Sequence, residues 1–239
     1  MAAGLVSGFI NAIAGGGGMV GLPIMLWLGL PPLNALATNK FQAVFGTLSS
    51  SINFFRKGYI DVGKILPIMA CAMVASISGT FLLLTISNDL LKLLMPFLLL
   101  GLATLLWFSP RLDDSDHPPK LNYKNFVWVA GGIIGFYGGF FGPGIGAVAI
   151  LCFSMLSGYN LRSAGANAKL VILTANICSV IIFLLADQVF IVIGLAMALA
   201  QVIGGYLGSN LVIKKGAVLI KPMLCAVTVL VAIKLLLEP

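Results

Sequence analysis

Long stretches without a charged side chain dominate this chain, and their lengths pose the first question. Charge-free stretches run over Ala2–Asn39, Ile65–Asn88, Leu93–Pro110, Phe126–Leu161, Leu170–Ala186 and Gln188–Ile213, with shorter apolar runs at Phe41–Phe55 and Val218–Ile233. A single helix crosses the hydrocarbon core of a bilayer in about 20 residues. Ala2–Asn39 and Phe126–Leu161, at 38 and 36 residues, are too long for one crossing each. Both are interrupted, the first by Gly15-Gly16-Gly17-Gly18 and the second by Gly142-Pro143-Gly144-Ile145-Gly146. Glycine and proline end helices and leave backbone polar groups unpaired. Such backbone persists at membrane depth only where protein or water covers it. The pattern predicts half-helices from about Met19 to Leu28 and from about Ala147 to Leu156. Each opens on free N–H groups at the positive end of its dipole.

The interruptions belong to a repeat. Gly8-Phe9 and Gly15 recur as Gly135-Phe136 and Gly142, at an offset of 127. Ala37-Thr38-Asn39-Lys40-Phe41 aligns with Ala166-Asn167-Ala168-Lys169-Leu170 at an offset of 129, as Gly79 does with Gly208. The polar segment Ser109–Asn125 separates the halves, so the expected organisation is repeat 1 over 1–108, a linker over 109–125 and repeat 2 over 126–239. If the broken segments cross the membrane, the 14 basic residues divide seven to seven between its sides; if they turn back, they divide eleven to three. Basic residues concentrate on the cytoplasmic side. The expected fold is therefore all-α and membrane-embedded. Each repeat holds a glycine-broken re-entrant helix pair and three transmembrane helices, in inverted topology, with both termini outside.

Composition agrees. Only 9% of residues are charged and 60% are hydrophobic, against about 25% charged in soluble domains. That excludes a soluble enzyme, a disordered chain and a secreted disulfide scaffold. The net charge of +7 comes from basic residues lying mostly between apolar runs, which reads as membrane orientation and not as nucleic-acid binding. Cys71, Cys152, Cys178 and Cys225 all sit in apolar runs without a CxxC, and His117 is the single histidine. No metal site, cofactor or nucleophile–base pair is expected, and so no enzyme.

Inverted repeats with discontinuous helices are a common way to build a midplane transport site. The glycine breaks, at Gly16, Gly17 and Gly18 and at Gly142 and Gly144, let an anion approach free backbone amides. Lys40 and Lys169 hold equivalent positions inside apolar spans, where an ammonium is costly and marks function, although a lysine can also snorkel to the interface. Asn39 and Gln42, with Asn167 opposite, follow the same faces. Asn11, Asn53, Arg56 and Asn176 are accessory candidates, with interhelical hydrogen bonding an equal reading for Asn53, Asn176 and Gln201. The GxxxG pairs Gly4/Gly8, Gly131/Gly135 and Gly204/Gly208 read as helix packing. Gly16-Gly17-Gly18-Met19-Val20-Gly21 fits GxGxxG but lacks the strand–helix–strand context of a dinucleotide fold.

Gly8-Phe9-Ile10-Asn11-Ala12-Ile13-Ala14-Gly15-Gly16-Gly17-Gly18, then Pro23, then Ala35-Leu36-Ala37-Thr38-Asn39-Lys40 resembles the TauE/SafE family of sulfite and sulfonate exporters. Gly135-Phe136-Tyr137-Gly138-Gly139-Phe140-Phe141-Gly142-Pro143 and Ala168-Lys169 resemble its YfcA-like branch, with departures at Gly138 and Asn167. The resemblance implies a permease of the bacterial inner membrane that exports small sulfur-containing or organic anions, and rocking of the repeats would alternate access. A homo-oligomer, an anion channel, and a scaffold or partner subunit of a larger complex stay open as alternatives. The partners expected are a small anion and the lipid bilayer.

Overall fold

The computed structural model describes residues 1–107 and 115–215. The Val218–Ile233 run, Cys225 and the end of repeat 2 lie outside the described residues. Those described form nine α-helices and no strand: α1 (Ala2–Ala14), α2 (Gly17–Trp27), α3 (Pro32–Arg56), α4 (Val62–Leu84), α5 (Asn88–Trp107), α6 (Tyr123–Phe140), α7 (Ile145–Leu151), α8 (Leu161–Leu185) and α9 (Ile191–Lys215). A π-helical turn, Cys152–Leu156, extends α7.

The first long apolar stretch resolves into three elements. The helix α1 ends at Gly15, whose φ of +64° is left-handed and natural to glycine. The helix α2 begins at Gly17, two residues before the expected start, because Met19 N–H already bonds the Gly16 carbonyl at 2.9 Å. Pro32 then opens α3, where its fixed φ suits a first turn and its missing N–H is not needed. Residues 32–56 are thus one 25-residue helix, not the end of one apolar stretch followed by a shorter run. In the second half, α7 starts at Ile145, after left-handed Gly142 and Gly144. At 13 and 11 residues, α1 and α2 reach about 20 and 16 Å, short of the ~30 Å core.

Small residues fix how the helices lie together. A β-carbon at Gly8 would sit 2.6 Å from the Gln201 carbonyl, and one at Gly208 would sit 2.5 Å from that of Phe9, so α1 and α9 touch backbone to backbone. The pair α4 and α6 meets in the same way, with Gly131, Gly135 and Gly139 against Cys71, Ala72 and Ser76. The order of these contacts shows each pair running in parallel. The helix α3 also runs parallel to α9: Thr38 Oγ1 accepts from Phe190 N–H at 3.0 Å, Ser49 Oγ donates to the Val202 carbonyl at 2.8 Å, and Asn53 Nδ2 donates to Ser209 Oγ at 2.7 Å. Likewise α8 follows α4, through Asp61 N–H to Asn167 Oδ1 at 3.0 Å and Ser76 Oγ to the Ala175 carbonyl at 2.7 Å. Two parallel groups result, α1–α3–α9 and α4–α6–α8. The short α3–α4 connection makes them run in opposite senses.

That arrangement gathers Arg56, Lys57, Lys64, Lys120, Lys124, Arg162, Lys214 and Lys215 at one end of the molecule, while Lys92 starts α5 at the other. The outer faces are apolar: Leu66, Val74, Trp128, Ile181, Leu199 and Ile203 are all more than half exposed. A continuous apolar exterior on helices whose backbone bonds are internal suits lipid and not water. Three described helices, α4, α8 and α9, are long and apolar enough to cross a membrane.

Candidate functional site

The two glycine breaks meet. A β-carbon on Gly15 would overlap the Gly146 Cα, and one on Gly146 would overlap the Gly15 Cα. Gly146 N–H donates to the Gly15 carbonyl at 3.3 Å. Gly18 lies against Pro143, whose Cα would be 3.2 Å from a Gly18 β-carbon. Neither Gly16, which precedes α2, nor Gly144, which precedes α7, caps its helix with a side chain. The interruptions expected on composition alone therefore share one central point, where only glycine lets the backbones approach so closely.

Both lysines point at this centre. Lys40 and Lys169 are each the ninth residue of a 25-residue helix, α3 and α8. They are 2% and 1% exposed, which sets aside snorkelling. Each crosses to the broken helix of the other half. Lys40 Nζ donates to the Gly139 carbonyl in the last turn of α6, and its stem lies against Gly142. Lys169 Nζ donates to the Asn11 carbonyl in the last turn of α1 at 2.5 Å. The last carbonyls of a helix are its negative pole, so each ammonium sits where the backbone attracts it. Among the described residues no buried Asp or Glu accompanies them.

The remaining candidates divide. Asn39 and Gln42 lie against α2: Gln42 Nε2 donates to Asn39 Oδ1 at 2.9 Å, and a β-carbon on Gly21 would be 2.6 Å from each amide. Asn11 Nδ2 donates to Thr47 Oγ1 at 3.0 Å, which holds α1 to α3 near the break. Asn176 is buried on the same face of α8 as Lys169. Asn53 joins α3 to α9 through Ser209 and Asn210, the helix-joining role. Arg56 is exposed at the end of α3. Asn167 is not aimed at the breaks: its amide accepts from Asp61 N–H and donates to the Tyr59 and Ser163 carbonyls, pinning the α3–α4 connection. Beside it Asp61 caps α4, and the hydrogen-bonded Lys64 ammonium holds its carboxyl below the usual carboxylate range.

Ser7 and Phe183 were not singled out in the sequence, while Gln201 was read there as an interhelical hydrogen-bonding candidate. Ser7 and Gln201 join Asn39 and Gln42 around α2: Ser7 Oγ donates to the Gly17 carbonyl at 2.7 Å, and Gln201 Nε2 donates to Ser7 Oγ at 3.2 Å. The carbonyl oxygens of Gln42 and Gln201 are buried without a partner. The Phe183 ring lies 5.1 Å from Lys40 Nζ, and Phe54, its counterpart in the first repeat, is equally buried near the end of α3. The same repeat offset that pairs the lysines also pairs these rings and would have found them. At Gly138, Ile145 Cδ1 fills the space that a side chain would need. No group of His, Cys, Asp or Glu among the described residues is placed to hold a metal ion.

A family model described as sulfite exporter TauE/SafE matches residues 1–235. A probable membrane transporter protein of Haemophilus influenzae is 38% identical over 97% of this chain and 91% of its own length. The probable membrane transporter protein YfcA of Escherichia coli K12 is 38% identical over 97% of this chain and 86% of its own length. The probable membrane transporter protein YunE of Bacillus subtilis is 22% identical over 98% and 95%. With a match over nearly its whole length, twin glycine breaks and an apolar multi-helix exterior, the chain belongs to the TauE/SafE family of multi-pass membrane transporters.

Proposed function

We propose that this transporter moves a small anion, with sulfite, an organosulfonate or a related oxyanion as cargo, outward by alternating access. The observation that carries the reading is the pair of buried ammonium groups at the touching glycine breaks, with no buried carboxylate among the described residues to neutralise them. A buried charge without a counter-charge is expensive. A guest of opposite sign removes that expense, and carbonyl oxygens do so only in part. An arriving anion competes with the Gly139 and Asn11 carbonyls for the two ammonium groups and draws on the uncapped amides that open α2. Admission requires the Gly15–Gly146 contact to part.

The architecture we infer for this is two inverted repeats, each a re-entrant broken segment and three crossing helices. Opposed parallel groups support it, because α3 ends at the same side where its counterpart α8 begins. The short reach of α1 and α2 supports re-entry. The end carrying Arg56, Lys64, Lys124 and Lys214 is then cytoplasmic, following the bias of basic residues. Rocking of one repeat against the other about the glycine contact exposes the lysines to each side in turn.

Uptake of labelled sulfite into proteoliposomes, together with thermal-shift titration of sulfite, sulfonates, sulfate and carboxylates, tests the reading. A bound anion at a hundredfold excess over its Kd adds about 2.7 kcal/mol of stability. The expected result is saturable uptake and a shift with at least one of these anions. No response to any of them overturns it. Steady single-molecule currents would replace the carrier with a channel, and a stoichiometric copurifying subunit without ligand response would favour a scaffold.

A further inference from the structure

We propose that the groove between α4 and α6 binds one anionic phospholipid of the leaflet facing the basic end of the molecule. The groove has a volume of 870 Å³ and is lined by Pro67, Ala70, Cys71 and Val74 of α4 and by Val127 and Trp128 of α6. Its mouth carries Tyr123 and Lys124, in the first turn of α6. Tyr123 Oη donates to the Lys64 carbonyl at 2.9 Å, which places the mouth at the start of α4.

Three properties fit a lipid. The first is depth. From Pro67 to Ala75 the wall of α4 descends about 12 Å at 1.5 Å per residue, close to half of a ~30 Å hydrocarbon core. The groove therefore spans one leaflet, and an acyl chain entering at the mouth reaches its end near the midplane. The second is the order of side chains. A lysine and a tyrosine stand at the mouth, a half-exposed tryptophan follows one turn deeper, and aliphatic residues continue below. That sequence matches headgroup, interface and chain. The third is charge. Lys124 stands with Lys120 on the end that gathers most of the described basic residues, while the nearby Lys64 is paired with Asp61 at 3.2 Å. A basic opening between helices on that side selects an anionic headgroup over a zwitterionic one.

The groove exists because of the glycine seam. Gly131 and Gly135 bring α6 onto Cys71 and Ala72, so the larger side chains on either side splay outward and leave a furrow. The α1–α9 seam is built in the same way, but α1 carries no basic residue in its first turn. The proposal does not depend on which anion is transported.

Native mass spectrometry of the full chain, delipidated in detergent and offered phosphatidylglycerol or phosphatidylcholine, tests it. Phosphatidylglycerol is expected to be retained about tenfold more strongly, with a matching rise in thermal stability. Lys124→Ala should bring phosphatidylglycerol down to the phosphatidylcholine level. Val74→Trp, on a lipid-exposed position, should fill the groove and reduce retention of both. Equal retention of the two lipids by the wild type overturns the proposal, as does undiminished preference in Lys124→Ala. Stabilisation by glycerol phosphate equal to that by phosphatidylglycerol also overturns it, because the chains would then contribute nothing. Should Lys124→Ala fail to fold, Lys124→Gln gives the same reading.

Discussion

The two glycine breaks carry the same charge but different polarity. Each receives one buried lysine from the opposite half. Around the first break stand Ser7, Asn39, Gln42 and Gln201, with two carbonyl oxygens left without partners. Around the second, Ile145 fills the space beside Gly138, and the nearby hydroxyls of Ser76, Thr80 and Ser179 satisfy one another at 2.8–3.0 Å. In the second repeat, the positions equivalent to Asn39 and Gln42 are Ala168 and Val171. Charge is thus duplicated while hydrogen-bonding capacity is concentrated in one half. On the proposed function, attraction of an anion belongs to both breaks and discrimination among anions falls to the first.

The largest expected effect comes from the contact both breaks share. Gly146→Ala puts a methyl group into the Gly15 backbone, so the breaks must separate. We expect loss of monodisperse protein in detergent or, where protein is recovered, loss of uptake. A folded Gly146→Ala protein with normal uptake would show that the contact is incidental. Next come the lysines, where the halves should behave alike. Lys40→Ala and Lys169→Ala should each reduce uptake to background and leave thermal stability level or raised, because a buried charge at membrane depth costs about 2.5–3.5 kcal/mol on insertion scales. Full uptake by both variants would remove these residues from the mechanism.

A smaller effect should separate the halves. Gln42→Leu exchanges one hydrogen bond for relief of a buried unpartnered carbonyl, terms of about 1 and 1–3 kcal/mol. Stability should therefore hold while anion affinity falls about tenfold, or 1.4 kcal/mol. Val171→Leu, its counterpart in α8, should change affinity less than about twofold, well inside 1.4 kcal/mol. Equal losses from both would erase the distinction between the breaks. The smallest effect is expected at Phe183, whose ring faces Lys40. Phe183→Leu removes a cation–π contact worth about 0.5–2 kcal/mol and should lower the melting temperature by a few degrees, with uptake retained.

Particular residues mark how far the sequence could be read. The glycine-rich breaks at 15–18 and 142–146 announced interrupted helices because glycine takes positive φ and exposes its backbone without steric cost. Lys40 and Lys169 stood out because an ammonium in an apolar run needs a reason. The GxxxG pairs gave the seams, since that spacing puts small residues on one helix face. The start of α3 at Pro32 was missed because apolar content does not change there, and only backbone chemistry marks the boundary. Asn167 was misleading. Its position beside Lys169 suggested a shared face, yet its amide is turned away from the breaks and serves the α3–α4 connection. Gln201 lies in the other half of the chain from Gln42, and no local pattern links them.

Sequence alone determined the solvent, the number of breaks and the kind of charge they hold, because each is set by composition and short-range periodicity along one chain. Tertiary structure decided that Gly15 touches Gly146, that each lysine serves the opposite half, and that, among the described residues, the unpartnered amide carbonyl oxygens collect at the first break. Those facts depend on which helices pack side by side. Packing is a property of surfaces far apart in the chain, brought together by backbone approach at glycine and invisible to any window along it.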